Sequence, residues 1–385
     1  MIIGFHAMTF DLSVILKNVG IDAVEMIVIS EWDHDMNSLH KYLSKYKNKE
    51  FSPNQRLVFI NDDIEYIAGN LRLNMWNLQS LLANLCIPNY FCIVLGQNDV
   101  SGCLESYRKI LTNDQHPIRN IVFQGHLTLY PEIENSKFDV NADKIIRSYI
   151  FLNNIKREHR TYMINWLIHN QIINEGLVSY NSEVKENKRS KGFSIIDVNE
   201  SHYTSLTTCP FSRSNERWTS YDDKLLEIFS FEPTKIKNFT EDDTDSITSN
   251  NEELLQRAFL YVASETVFNY PDPYMSEKSF KSFPAMRPML MLGARGSLSR
   301  LRSLGFSTWS NFWDESYDDL IDPNERFKAV ANTIMTICKM GIESQKKMLI
   351  DMEPILIHNR NLYMDRFVAM QTDHIRSQLL TMLGR

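Results

Sequence analysis

The sequence predicts an α/β protein made of two halves, each built on a parallel sheet. Short apolar runs that end in polar residues recur through the first third of the chain. Helical patterns lie between them, and the same alternation returns after residue 258. Parallel neighbours need a crossover, normally a helix, so this alternation points to parallel sheets. The 385 residues suffice for two domains of ordinary size.

In the first half, residues 26–30, 56–60 (RLVFI), 90–95 (YFCIVL) and 121–123 read as strands. The second of these runs into Asn61-Asp62-Asp63 and the third into Gly96-Gln97-Asn98-Asp99. Between them, residues 73–85 carry apolar residues at helical spacing. Residues 148–152 (SYIFL) form the next strand, followed by a basic turn and a helix over 161–170. Residues 183–192, with their Lys/Arg cluster, and the acidic stretch 239–252 read as loops. Strands resume at 258–263 and 288–292; Gly293 closes the second. A helix over 297–303 ends at Gly305, and 306–309 reads as a further strand. From Pro323 the chain reads as long helices, amphipathic over 329–339 and helical over 362–383. The expected division is 1–140, 141–345 and a helical tail at 346–385.

Composition narrows the function classes. The formal net charge is −7, unlike a dedicated nucleic-acid binder, although a local basic face survives in such an average. Cys86, Cys92, Cys103, Cys209 and Cys338 form no CxxC pair, so reduced core thiols are expected. No run of eighteen apolar residues and no basic-then-apolar leader is found, which predicts a cytoplasmic protein without a membrane span.

The densest chemical signal runs from Ser264 to Tyr317. Glu265 follows a strand directly, and in parallel sheets ligands sit beyond the carboxyl ends of strands. A carboxylate there suits a ribose diol. Ser276-Glu277-Lys278 reads as a helix start whose free N–H groups suit phosphate, with Lys278 adding a charge and Lys281 one turn on. Gly293-Ala294-Arg295-Gly296-Ser297 reads as a second strand-to-helix turn and a second anion site, with Arg295 able to fork onto phosphate. His159 and Arg160, after the strand at 148–152, bring cations to the same region. Asp314-Glu315-Ser316-Tyr317 reads as structural support or a helix cap. Singly, each motif is as well explained by ordinary helix starts and solvated faces.

The segment SEKSFKSFPAMRPMLMLGARGSLSRLRSLGFSTWSNFWDESYDD resembles a block in glycosyltransferase-like proteins of large tailed bacteriophages. FLNNIKREHRTYMINWLIHNQIINEGLVSY resembles an earlier block of the same family. The Glu…Ser-Glu-Lys arrangement is also similar to the donor motif of α-1,3-fucosyltransferases. The resemblance implies a GT-B fold, two Rossmann-like domains facing a central cleft, with the terminal helices packing back on the first domain. It implies a nucleoside-diphosphate sugar donor (UDP- or GDP-sugar) and no obligatory metal. By it, Glu265 meets the ribose, Lys278 the diphosphate, and Glu277 orients Lys278 or touches the sugar.

An inverting transferase needs a base to take the acceptor's proton. Asp62, Asp63 and Asp99 follow first-half strands and are candidates, with His6 behind them. Asp243-Thr244-Asp245 matches the metal-binding Asp-x-Asp of another transferase class, but no strand precedes it, and no metal is expected. Two acceptors suit a phage setting: a hydroxymethylated base such as 5-hydroxymethylcytosine in double-stranded DNA, or a surface glycan or protein. For DNA, Lys185, Lys188, Arg189 and Lys191 supply cations, with Trp218 and Tyr221 nearby. A non-catalytic nucleotide-binding protein is the reading from another class. A monomer or homodimer is expected.

Overall fold

The structure is a computed structural model. It describes residues 12–30, 36–61, 78, 80–87, 90–96, 121–125, 140–153, 157–181, 189–196, 203–205, 209–211, 235–237, 252–265, 268, 273 and 275–382. The chain is mixed α/β. Its strands are β1 (Asp22–Ser30), β2 (Gln55–Asn61), β3 (Tyr90–Gly96), β4 (Ile121–Gly125), β5 (Arg147–Asn153), β6 (Gly176–Asn181), β7 (Arg189–Ile196), β8 (Tyr203–Ser205), β9 (Cys209–Phe211), β10 (Lys235–Lys237), β11 (Ala258–Ser264) and β12 (Met289–Leu292). Its α-helices are α1 (Leu12–Asn18), α2 (Met36–Leu43), α3 (Glu158–His169), α4 (Glu252–Gln256), α5 (Ser297–Ser303), α6 (Pro323–Met340), α7 (Ile342–Asp351), α8 (Glu353–Asn361) and α9 (Val368–Met382).

Two compact units result. The first comprises Met1–Leu129, Asn187–Arg213 and Val368–Arg385; the second comprises Tyr130–Glu186 and Ser214–Phe367. In the first, the sheet runs β4-β3-β2-β1-β7-β8, with β9 also on β7. Strands β1 to β4 are mutually parallel, and β7 joins β1 antiparallel. The final helix α9 packs on β4 and α1 of this unit.

The second sheet runs β10-β6-β5-β11-β12 and is parallel except for β10. Every residue of β11 and β12 is buried, as is all of β5 but Arg147. That explains their unbroken apolar sequences: strands covered on both faces show no alternation. At Gly176 a Cβ would lie 2.3 Å from the Tyr149 ring, so only glycine fits beside that tyrosine. Asp322 starts α6 by accepting the Asn324 N–H at 2.7 Å. Phe327, Val330, Ala331, Ile334 and Ile337 then form one buried stripe, and the helix packs on β12 and β5.

Several expectations need correction. Residues 306–309 are not a strand. Their backbone is satisfied by side chains: Asn359 accepts the Ser307 N–H and donates to the Ser307 carbonyl, both at 2.8 Å, and Glu315 accepts the Trp309 N–H at 2.8 Å. Phe306 and Trp309 are buried without a ladder, which is what their apolar run reflects. Arg189 to Gly192, expected in a loop, belong to β7, because the free edges of β1 and β9 pair with them despite their polarity. Glu252, expected to end a loop, opens α4. Cys86 is exposed at φ 54°, not a core thiol. Among the described residues no helix is long and apolar enough to cross a membrane.

Candidate functional site

Strand order in the second sheet reverses at β5. The chain steps from β5 to β6 on one side, then returns to β11 and β12 on the other. Connections that leave two adjacent parallel strands in opposite directions open a crevice at the strands' carboxyl ends. The residues at that mouth are Asn153 at the end of β5, Ser264 and Glu265 at the end of β11, and the first turn of α3.

Two side chains of α3 grip the end of β11. Arg160 Nη2 donates to the Ser264 carbonyl at 2.9 Å and the Glu265 carbonyl at 3.2 Å, while Nε donates to Ser264 Oγ at 3.3 Å. His159 Nε2 lies 2.8 Å from the Glu265 carbonyl. A carbonyl only accepts, so Nε2 carries the proton. Burial, then the Arg160 charge, holds the His159 pKa well below its ordinary value, against the Glu265 hydrogen bond that favours protonation. His159 is therefore neutral at pH 7, and Arg160 supplies the cation. The imidazole stacks on Phe268 at 5.5 Å, and the Arg326 guanidinium lies 4.7 Å from the same ring's centroid. Arg326 donates to the carbonyls of Phe268, Leu320 and Gly293 at 2.7, 2.7 and 3.2 Å. The loops leaving β11 and β12 are thus tied to one buried cation.

Glu265 is fully buried. Its Oε1 accepts the Ser276 N–H at 3.0 Å and the Ser279 hydroxyl. In this structure the carboxylate holds the turn that carries Lys278. That turn, Glu277–Ser279, is a single 3-10 turn and not the expected start of a longer helix. The Lys278 N–H and Nζ both approach Ser276 Oγ, at 3.3 and 3.4 Å, and the side chain is half-buried. Lys281 is buried.

The second expected anion site is filled from within the chain. Asp318 takes the Leu298 and Ser299 N–H groups at the start of α5 on its two oxygens, at 2.9 and 2.8 Å. Its carbonyl accepts the Gly296 N–H at 2.9 Å. Gly296 sits at φ 79°, the left-handed region that suits glycine. Arg295 is exposed and donates to the Asp319 carbonyl at 3.1 Å, and Ser297 Oγ donates to the Ala294 carbonyl at 2.6 Å. Gly293, Arg295, Gly296 and Ser297 thus belong to a turn whose helix N-terminus already holds a carboxylate. Burial raises the pKa of both Asp318 and Glu315.

Sequence reasoning passed over Asn153. It is 1% exposed, and neither Oδ1 nor Nδ2 has a hydrogen-bond partner. Its backbone N–H donates to Ser179 Oγ at 3.3 Å. Leaving a buried amide unpaired costs about 1–3 kcal/mol. The available signal was position: an Asn closing an apolar strand just before a basic turn.

Asp62, Asp63, Asp99, His6, Lys185, Lys188, Trp218, Tyr221 and residues 243–245 lie outside the described residues. Arg189 and Lys191 lie in β7 of the first unit. No cluster of His, Cys, Asp or Glu able to hold a metal occurs among the described residues. A cavity of about 390 Å³ between Trp313, Asn332, Thr336 and Met348 includes none of the residues at the mouth. A scan of protein-family models and searches of curated proteins and of solved structures return no match to this chain.

Proposed function

We propose that the chain is a glycosyltransferase of the GT-B type. It moves a sugar from a nucleoside-diphosphate sugar to a hydroxyl acceptor, foremost 5-hydroxymethylcytosine or a related hydroxylated base in DNA. One observation supports this above the others: where the strand order of the second sheet reverses, the buried Glu265 carboxylate fixes the turn bearing Lys278. A cation held at a sheet's carboxyl mouth is suited to a diphosphate.

In this reading Lys278 meets the diphosphate, and Arg160 adds positive potential as the anomeric C–O bond breaks and charge gathers on the leaving group. Glu265 keeps the turn in register. A carboxylate from the set Asp62, Asp63 and Asp99 takes the acceptor hydroxyl's proton as its oxygen bonds to the anomeric carbon. Lys185, Lys188, Arg189 and Lys191 serve the DNA backbone.

The test is mass spectrometry of hydroxymethylcytosine DNA incubated with the protein and a panel of UDP- and GDP-sugars. A gain of one pentose or hexose per modified base is expected. Sugar-nucleotide consumption without a gain on DNA moves the acceptor to a glycan or protein. No consumption with any acceptor contradicts a transferase.

A further inference from the structure

The unpaired amide at the end of β5 has a ligand chemistry of its own. Buried side-chain amides are almost always hydrogen-bonded, so one with both atoms unpaired calls for an explanation. Asn153 stands at the strand-order reversal, one strand from Ser264 and Glu265. Its neighbours are otherwise satisfied: Ser264, Glu265, His159 and Arg160 are engaged with one another, and Ser179 with the Asn153 backbone. Among the described residues at this point, the Asn153 amide thus offers a donor and an acceptor side by side.

We infer that Asn153 recognises the nucleoside of the donor by a bidentate pair, its Nδ2 donating to and its Oδ1 accepting from adjacent groups of the ligand. Two parts of a nucleoside have that complement: the imide-like edge of uracil or guanine, and the ribose diol. A lone phosphate does not, because a phosphate oxygen cannot match the Oδ1 acceptor without a proton. Asn153 thus acts on selectivity and affinity, whereas Lys278 acts on charge. The inference rests on the nucleotide-binding reading given above.

Isothermal titration of the full chain with UDP and with GDP tests it, beside the Asn153→Leu and Asn153→Asp variants and thermal melts of all three. Wild-type protein is expected to bind one nucleotide, and Asn153→Leu to bind it about tenfold to a hundredfold more weakly. The melt of Asn153→Leu is expected to be unchanged or higher, because an apolar residue of similar size removes a buried unpaired group. N3-methyl-UDP (or N1-methyl-GDP) and the 2′-deoxynucleotide then separate the sources. The one that loses wild-type affinity, with no further loss in the variant, marks the edge that Asn153 reads. A wild-type protein that binds neither UDP nor GDP overturns this inference and the nucleotide reading together. Normal binding by both variants overturns the role of Asn153 alone. An Asn153→Leu chain that does not fold shows the amide to be structural and also overturns it.

Discussion

The two ends of the second sheet are built from the same device and finished differently. At the amino end, Arg287 is fully buried and donates to the carbonyls of Ala258, Met286, Asn141 and Gln256 at 3.0, 3.0, 3.0 and 2.7 Å. Burial lowers its pKa to about 10, which leaves it charged at neutral pH. At the carboxyl end, Arg160 and Arg326 bind carbonyls in the same way, yet an unpaired Asn153 amide and a half-buried Lys278 remain. One end spends its cation wholly on holding strands together. The other holds its loops and still leaves the Asn153 amide unpaired.

Damage to the two ends should therefore separate. Arg287→Met removes four hydrogen bonds to a charged donor and leaves buried carbonyls unpaired. It is expected to destabilise the second unit by about 3 kcal/mol or more in denaturant unfolding. Nucleotide affinity of the remaining folded fraction should be unchanged; a large affinity loss there breaks the contrast. Lys278→Ala is expected to lower transfer, or nucleotide hydrolysis, at least about 100-fold with the melting temperature retained. Wild-type rates in that variant remove the diphosphate contact.

Glu265→Ala should show both effects, since it frees the turn and leaves the Ser276 N–H buried without an acceptor. A loss of about 2 kcal/mol with weakened nucleotide binding is expected, and Glu265→Gln, which keeps an acceptor, should recover most of the stability. Equal stability of the Ala variant and wild type in urea would contradict the role of that carboxylate as a clamp.

The smallest effect is set by pH. The folded state resists protonation of His159, while in the unfolded chain the imidazole binds a proton near its ordinary value of 6.5. The unfolded state thus gains protons first as pH falls, so stability drops below about pH 6.5, by at most about 1.4 kcal/mol per pH unit. His159→Gln, which keeps a donor for the Glu265 carbonyl, should flatten that slope when unfolding is followed from pH 7.5 to 5.5. An unaltered slope assigns the dependence to other groups.

Much of the scaffold was legible before the structure. Strands β2, β3, β5, β11 and β12 were visible as unbroken apolar runs, those of β5, β11 and β12 because both faces are covered, and α5 and α6 because Gly305 and Pro323 mark their limits. What escaped was non-local. Nothing near Leu298 announces that Asp318, twenty positions on, will occupy its helix start. Nothing near Ser276 shows that Glu265 will hold its N–H. Arg287 hides in an apolar stretch whose pattern says only that it is buried. The end of β5 was read as a strand terminus, because an unpaired amide is a property of its surroundings and not of its sequence.

The most direct test is a crystal structure of the chain with bound UDP or GDP. The account predicts the diphosphate within about 3 Å of Lys278 Nζ and the nucleoside against the Asn153 amide. A nucleotide bound elsewhere, with Lys278 and Asn153 touching nothing of it, would contradict the account.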